Sequence, residues 1–186
     1  MRVQGSEQSN TQNLTSNALL PDYLEKGLDV VFVGAAPSVR AAETGHYYAG
    51  ATNRFWLLLY QSGFTPRQLL AEEDITILEY GIGLTAVFPN KISTANHLLP
   101  TPTKEIREEL LQKLKDCDPK FVCFNGKDVF QMAIGAICTD WGEQETKIGN
   151  SRVFVLHSSS SRADFWGKER LSLYQELYTL LKTTDL

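Results

Sequence analysis

Apolar and polar positions along this chain follow two rhythms. Four short stretches are apolar almost without a break: "DVVFVG" between Asp29 and Gly34, "GIGLTAVF", "KFVCFNG" and "SRVFVLH". Runs of this length, bounded by Gly, Asp or Lys, predict strands buried on both faces. Between them the apolar positions recur at helical spacing. "RFWLLLYQSG" predicts a helix capped by Thr52 or Asn53 and stopped by Gly63. Thr103 opens "KEIREELLQKLKDC", whose Ile106, Leu110, Leu111 and Leu114 share one face, and Asp118-Pro119 ends it. "KDVFQMAIGAI" and "RADFWGKERLSLYQELYTLLK" predict two more helices, and shorter ones are expected around 66–70 and 72–80.

Strands alternating with helices imply parallel pairing through right-handed crossovers. The expected fold is an α/β three-layer α/β/α sandwich on a central, mainly parallel sheet of about four strands. Residues 1–18 are rich in Ser, Asn, Gln and Thr and are expected to form a disordered tail, leaving 19–186 as a single domain. A chain of 186 residues, 42% hydrophobic and 22% charged, suits one soluble domain with a substantial core. No stretch is long and apolar enough to span a bilayer, and no signal pattern opens the chain, so a cytoplasmic monomer is expected. Cys117, Cys123 and Cys138 lack paired spacing and are expected as free thiols. Nothing in the sequence calls for a metal or a cofactor. The net charge of −4 argues against a uniformly basic coat for nucleic acid but permits a local basic groove.

In a doubly wound sheet, ligands bind beyond the carboxyl ends of the strands. Those ends carry the unusual residues of this chain. The turn Gly34-Ala35-Ala36-Pro37 reads either as a plain small-residue turn or as a pocket floor that lets a ligand approach the backbone. Tyr47 and Tyr48 are either core aromatics or rings on which a base stacks. Asn53 is a helix cap, or its amide reads a polar ring edge. Asn125 and Lys127 are a cap and a solvated lysine, or an anion site at a helix start. His157-Ser158-Ser159-Ser160-Ser161-Arg162 is a surface loop, or one that holds a phosphate beside a hydrogen-bonding histidine. The loop "PNKISTANHLLPTPT" has the length of a functional loop. No Gly-x-Ser-x-Gly elbow supports a serine hydrolase, and no P-loop spacing is present.

Together, "GHYYAGATNRFW", "YQSGFTPRQL", "YGIGLT", "FNGK" and "SSSSR" resemble the uracil-DNA glycosylase superfamily. They are most similar to its mismatch-specific uracil and thymine glycosylase branch, from about Leu28 to the last helix. The resemblance implies hydrolysis of the N-glycosidic bond of uracil in double-stranded and single-stranded DNA, after flipping the nucleotide out of the stack. The product is an abasic site, the first step of base excision repair. It implies that Gly34, Ala35, Ala36, Pro37 and Ser38 meet base oxygens through the backbone. Tyr48 would stack on the base, Asn53 would bind it, and Ser158, Ser159, Ser160, Ser161 and Arg162 would grip the DNA with Asn125 and Lys127.

The first motif departs from the pattern. Relatives place a water-positioning asparagine where this chain has Ala36, although one branch also carries alanine there. His157 is therefore expected to donate to the departing base, with Glu43 or Thr85 positioning the water and Asn90 or Asn96 as weaker candidates. No lysine stands ready for a lyase step, so a monofunctional enzyme is expected. Ser160 to Ala163 holds no large apolar wedge, which implies weak dependence on the opposing base. The alternatives are a catalytically weak or inactive module that binds damaged bases, and a nucleotide-binding protein unrelated to DNA.

Overall fold

The computed structural model describes residues 18–184. The expected tail at 1–18 lies outside them except for Ala18. Five strands form one sheet: β1 (Val30–Gly34), β2 (Ile82–Ala86), β3 (Phe121–Phe124), β4 (Gly142–Ile148) and β5 (Ser151–Val155), in the order β2-β1-β3-β5-β4. β2, β1, β3 and β5 run parallel in register, and β4 pairs antiparallel with β5. The α-helices are α1 (Val39–Thr44), α2 (Phe55–Gln61), α3 (Lys104–Cys117), α4 (Lys127–Ile134) and α5 (Gly167–Thr184).

The strand pleat sorts the apolar run of each buried strand into two cores. Val30 and Phe32 of β1, Phe121 and Cys123 of β3, and Phe154 of β5 face one side, where they meet Phe55 and Leu59 of α2 and Tyr174 and Leu177 of α5. Val31, Val33, Val122, Phe124, Val153 and Val155 face the other, against Leu110 and Leu114 of α3 and Val129 and Phe130 of α4. All of these are buried, which is why the strands read as continuous apolar runs. The three-layer sandwich is as expected. Among the described residues no helix is long and apolar enough to cross a membrane.

The sheet has five strands rather than four. The extra one, β4, has the sequence GEQETKI and exposes most of its side chains, so it carries no apolar run. It is held by a tight hairpin in which Ile148 pairs with Ser151 across Gly149 and Asn150, and Gly149 takes the φ of +60° that such a turn requires. The short helices also differ. Residues 66–70 are irregular, and Ala71–Tyr80 is a 3₁₀ helix. Arg67 forks onto Glu73 at 2.9 and 2.6 Å while Glu73 also accepts from Leu70 N–H, which closes a turn in place of a helix. α2 begins at Phe55, whose N–H donates to Asn53 Oδ1 at 3.0 Å. Thr103 caps α3 as expected, by accepting from Ile106 N–H.

β1 connects to β2 on one side of the sheet, and β2 returns past β1 to β3 through α3 on the other. The winding therefore reverses between β1 and β3, and the chain leaves their carboxyl ends towards opposite faces of the sheet, which opens a crevice.

Candidate active site

At that crevice lies a cavity of about 170 Å³. This is room for several water molecules or a small ring. Its floor is the turn after β1, from Gly34 to Ser38. The turn is fixed by its carbonyls. Gly34, Ala35 and Pro37 accept from the N–H groups of Val87, Phe88 and Ser93 at 2.8 to 2.9 Å. Ser38 caps α1, its hydroxyl accepting from Ala41 N–H.

One wall is Tyr48. Its ring lies on Phe55, 3.9 Å between centroids and 22° from parallel, and Phe55 is fully buried beneath it. Tyr48 sits at φ 54°, a left-handed conformation that costs a bulky residue on the order of 1–3 kcal/mol. The neighbours impose it. Asp74, 1% exposed, accepts from Tyr47 N–H at 2.8 Å and from the Tyr23 hydroxyl at 3.0 Å, and lies 3.2 Å from His46 Nδ1. Trp56 Nε1 donates to the Tyr47 carbonyl. Burial, helped by the Asp74 carboxylate, pushes the Tyr23 phenol up to about 12. Burial also pushes the Tyr48 phenol up, so it stays neutral; its hydroxyl lies near the Asn125 amide without being bonded to it. The hydroxyls of Tyr47, Tyr48 and Ser93 are buried at this cavity with no hydrogen-bond partner among the described residues.

The opposite wall is Asn125 and the serine loop. Asn125 Oδ1 accepts from Ser159 N–H and its Nδ2 donates to Ser159 Oγ, both at 2.9 Å. A backbone N–H can only donate, so this contact fixes which way the amide faces. The same logic applies to Asn53. Its Oδ1 is spent on Phe55 N–H, which leaves the NH₂ group available to a carbonyl oxygen in the cavity. Arg170, 5% exposed, ties the serine loop from behind. Its Nη1 donates to the carbonyls of Ser158 and Ser160 and its Nη2 to Asp164, which also binds Arg54.

The cavity gathers most of the residues singled out in the sequence: Gly34, Ala35, Ala36, Pro37, Ser38, Tyr48, Asn53, Asn125, Ser158, Ser159, Ser160 and Arg162. It does not gather the three expected to do chemistry. His157 is 2% exposed, and its ring is packed between Trp166, stacked at 4.2 Å, and Trp141 at 3.9 Å. Burial lowers its imidazole below the ordinary value. Thr85 donates its hydroxyl to Asp22 at 2.7 Å, because its position in β2 turns it off the rim. Glu43 lies on the exposed face of α1, 3.6 Å from Arg40. Two of the DNA-binding candidates also face elsewhere. Lys127 donates to the Thr139 carbonyl and lies over Trp141, and the Ser161 hydroxyl pairs with Thr52. Among the described residues lining the cavity there is no carboxylate, histidine or lysine.

Ser93, Thr94 and Ala95 also line the cavity. They come from the long loop flagged for its length, but nothing local distinguished these positions. Asn96, a weaker candidate for holding water, also lines the cavity, and its Nδ2 donates to Asp128 at 2.6 Å. Asn90 faces a separate groove with Asp22 and Lys113. The three cysteines are free thiols.

Comparison with known proteins agrees with this arrangement. Residues 21–182 match the family described as the Uracil DNA glycosylase superfamily. The fold is similar to an NMR structure from Methanosarcina acetivorans provisionally named a uracil DNA glycosylase. The likeness has a TM-score of 0.55 at 20% identity, over 88% of this chain and 96% of that one. At that identity it speaks to the fold.

Proposed function

The chain belongs to the uracil DNA glycosylase superfamily, and from that membership we propose that it excises uracil from DNA by base flipping, leaving an abasic site. The observation that carries the reading is the gathering of the family-like motifs around one cavity at the reversal of the sheet. The everted base enters between the Tyr48 ring and the Gly34–Ser38 turn. Phe55 supports the stacking ring from below. The free NH₂ of Asn53 donates to a base carbonyl, which draws off negative charge as the base leaves. Removing one such preorganised donor typically costs about 2.7–4 kcal/mol in the barrier.

In the reaction the N-glycosidic bond breaks with its electron pair passing to the base. The sugar C1′ takes the hydroxyl of water, and the one proton that water gives up ends on the departed base. Of the groups the sequence offered for the water, Asn96 is the one at the cavity, and its carbonyl is the acceptor left after Nδ2 binds Asp128. His157, Glu43 and Thr85, facing other partners, act at most through other residues. No lysine lines the cavity among the described residues, which supports a monofunctional hydrolase without a lyase step. The Ser158–Arg162 segment holds the phosphates around the flipped nucleotide. The domain working on this DNA is the single unit from 19 to the C-terminus.

Incubation with an end-labelled oligonucleotide carrying one uracil, followed by alkali, tests the reading. Strand cleavage at the uracil is expected, with a roughly tenfold or greater loss for Asn53→Ala and Asn96→Ala and near wild-type rates for Glu43→Ala. The lack of a carboxylate at the cavity favours a second reading, a module that binds the damaged base without excising it. Tight binding of the uracil oligonucleotide with no cleavage would select that reading.

A further inference from the structure

Resting on the DNA-glycosylase reading above, we propose that Phe165, backed by Trp166, forms a stacking platform for the unpaired base next to the everted nucleotide, making single-stranded DNA the more tightly held form. Phe165 is 77% exposed, an unusual state for so large an apolar ring beside a polar loop. The ring has packed support. Phe165 meets Trp166 at 5.1 Å, Trp166 is stacked on the buried His157, and His157 rests against Trp141. Asp164, one residue earlier, is pinned by Arg170 and Arg54. The ring is thus held out into solvent by a braced segment.

A groove of about 600 Å³ leads from the base cavity to Phe165, and the two spaces share Ala95, Asn96, Ser158, Ser160 and Arg162. Arg162 lines both spaces; its Nη1 donates to the Thr94 carbonyl, and its remaining N–H groups are left for the intervening phosphate. The carboxylate in the groove, Asp128, accepts from the Asn96 amide and from Val129 N–H. The charge balance favours a single strand. Duplex binding leans on many phosphate contacts, and this chain carries a net charge of −4. Stacking on an aromatic face needs few cations and tolerates any base.

The test is fluorescence anisotropy with labelled oligonucleotides that contain no modified base, single-stranded and duplex, against the wild type, Phe165→Ala and Phe165→Trp. Phe165→Ala should weaken single-strand binding roughly tenfold and duplex binding less than about threefold, and Phe165→Trp should restore it. Unchanged single-strand affinity in Phe165→Ala would overturn the proposal and leave the ring to a protein contact. A loss confined to duplex would also overturn it, because it would mean insertion into a paired stack. Because these probes cannot be excised, the outcome is separate from the alkali assay. A wild type that excises no uracil, yet loses single-strand affinity in Phe165→Ala, would keep the platform and sink the glycosylase reading.

Discussion

Tyr48 presents a flat face to the cavity in a backbone conformation it would not choose, and Asp74 is the residue that holds it there. Truncating Asp74 leaves the buried Tyr47 N–H and the Tyr23 hydroxyl without their acceptor, each a loss of about 1–3 kcal/mol. Asp74→Ala is therefore expected to lower stability by about 3 kcal/mol in urea denaturation, and to slow excision further as Tyr48 relaxes from its wall. His157 supplies a pH effect. Burial holds its folded imidazole below the ordinary value near 6.5, against the opposing pull of Glu169. As pH falls, the unfolded chain takes up the proton first. The contribution of the neutral, stacked ring is thus complete above about pH 6.5, is lost below it, and levels off once the folded ring also titrates. Urea titrations between pH 5 and 8 should show a shallower acid-side decline in His157→Phe than in the wild type.

At the scale of elements, the serine loop behaves as one braced unit. Ser159 is clamped by Asn125, Arg54 N–H donates to the Ser159 carbonyl, and Arg170 binds two more of the loop's carbonyls. Arg170 is nearly inaccessible, so removing it frees two carbonyls together and leaves Asp164 to Arg54. Arg170→Ala is expected to raise amide hydrogen exchange across 158–164 and to weaken DNA binding, with the sheet strands unaffected. If exchange there stays at the wild-type level, the loop is braced by Asn125 and the His157–Trp166 stack alone. Polar composition left a plain surface loop and a phosphate-holding loop both open, because hydroxyls give no hint of which buried arginine binds the backbone behind them. The edge strand β4 was hidden for a related reason. Its side chains meet water, so its strand character resides in backbone pairing with β5, which leaves no apolar signal.

Across the whole molecule, the N-terminal lead-in closes the outer edge of the sheet. Tyr23 exchanges two hydrogen bonds of 2.9 Å with Leu84, directly above Gly83. A Cβ at Gly83 would lie 2.7 Å from the Tyr23 carbonyl, so Gly83→Ala should expel this segment and lower Tm by several degrees in a thermal melt. DNA binding should show a modest salt dependence, with a log–log slope smaller in magnitude than about 4, because Arg162 is the one cation among the described residues at the cavity. The layers, the two cores, the Thr103 cap and the rim on which the motifs collect were legible in the chain alone. Those follow from apolar period and from local hydrogen bonding, which are written residue by residue. The tertiary structure alone decided which side chains at that rim turn inward. His157 and Asn125 both follow strand ends, yet one is stacked between Trp141 and Trp166, from the segments before and after it, and the other is clamped to Ser159, 34 residues on, at the cavity wall. Which partner a side chain finds depends on segments far away along the chain, and no local pattern encodes that meeting.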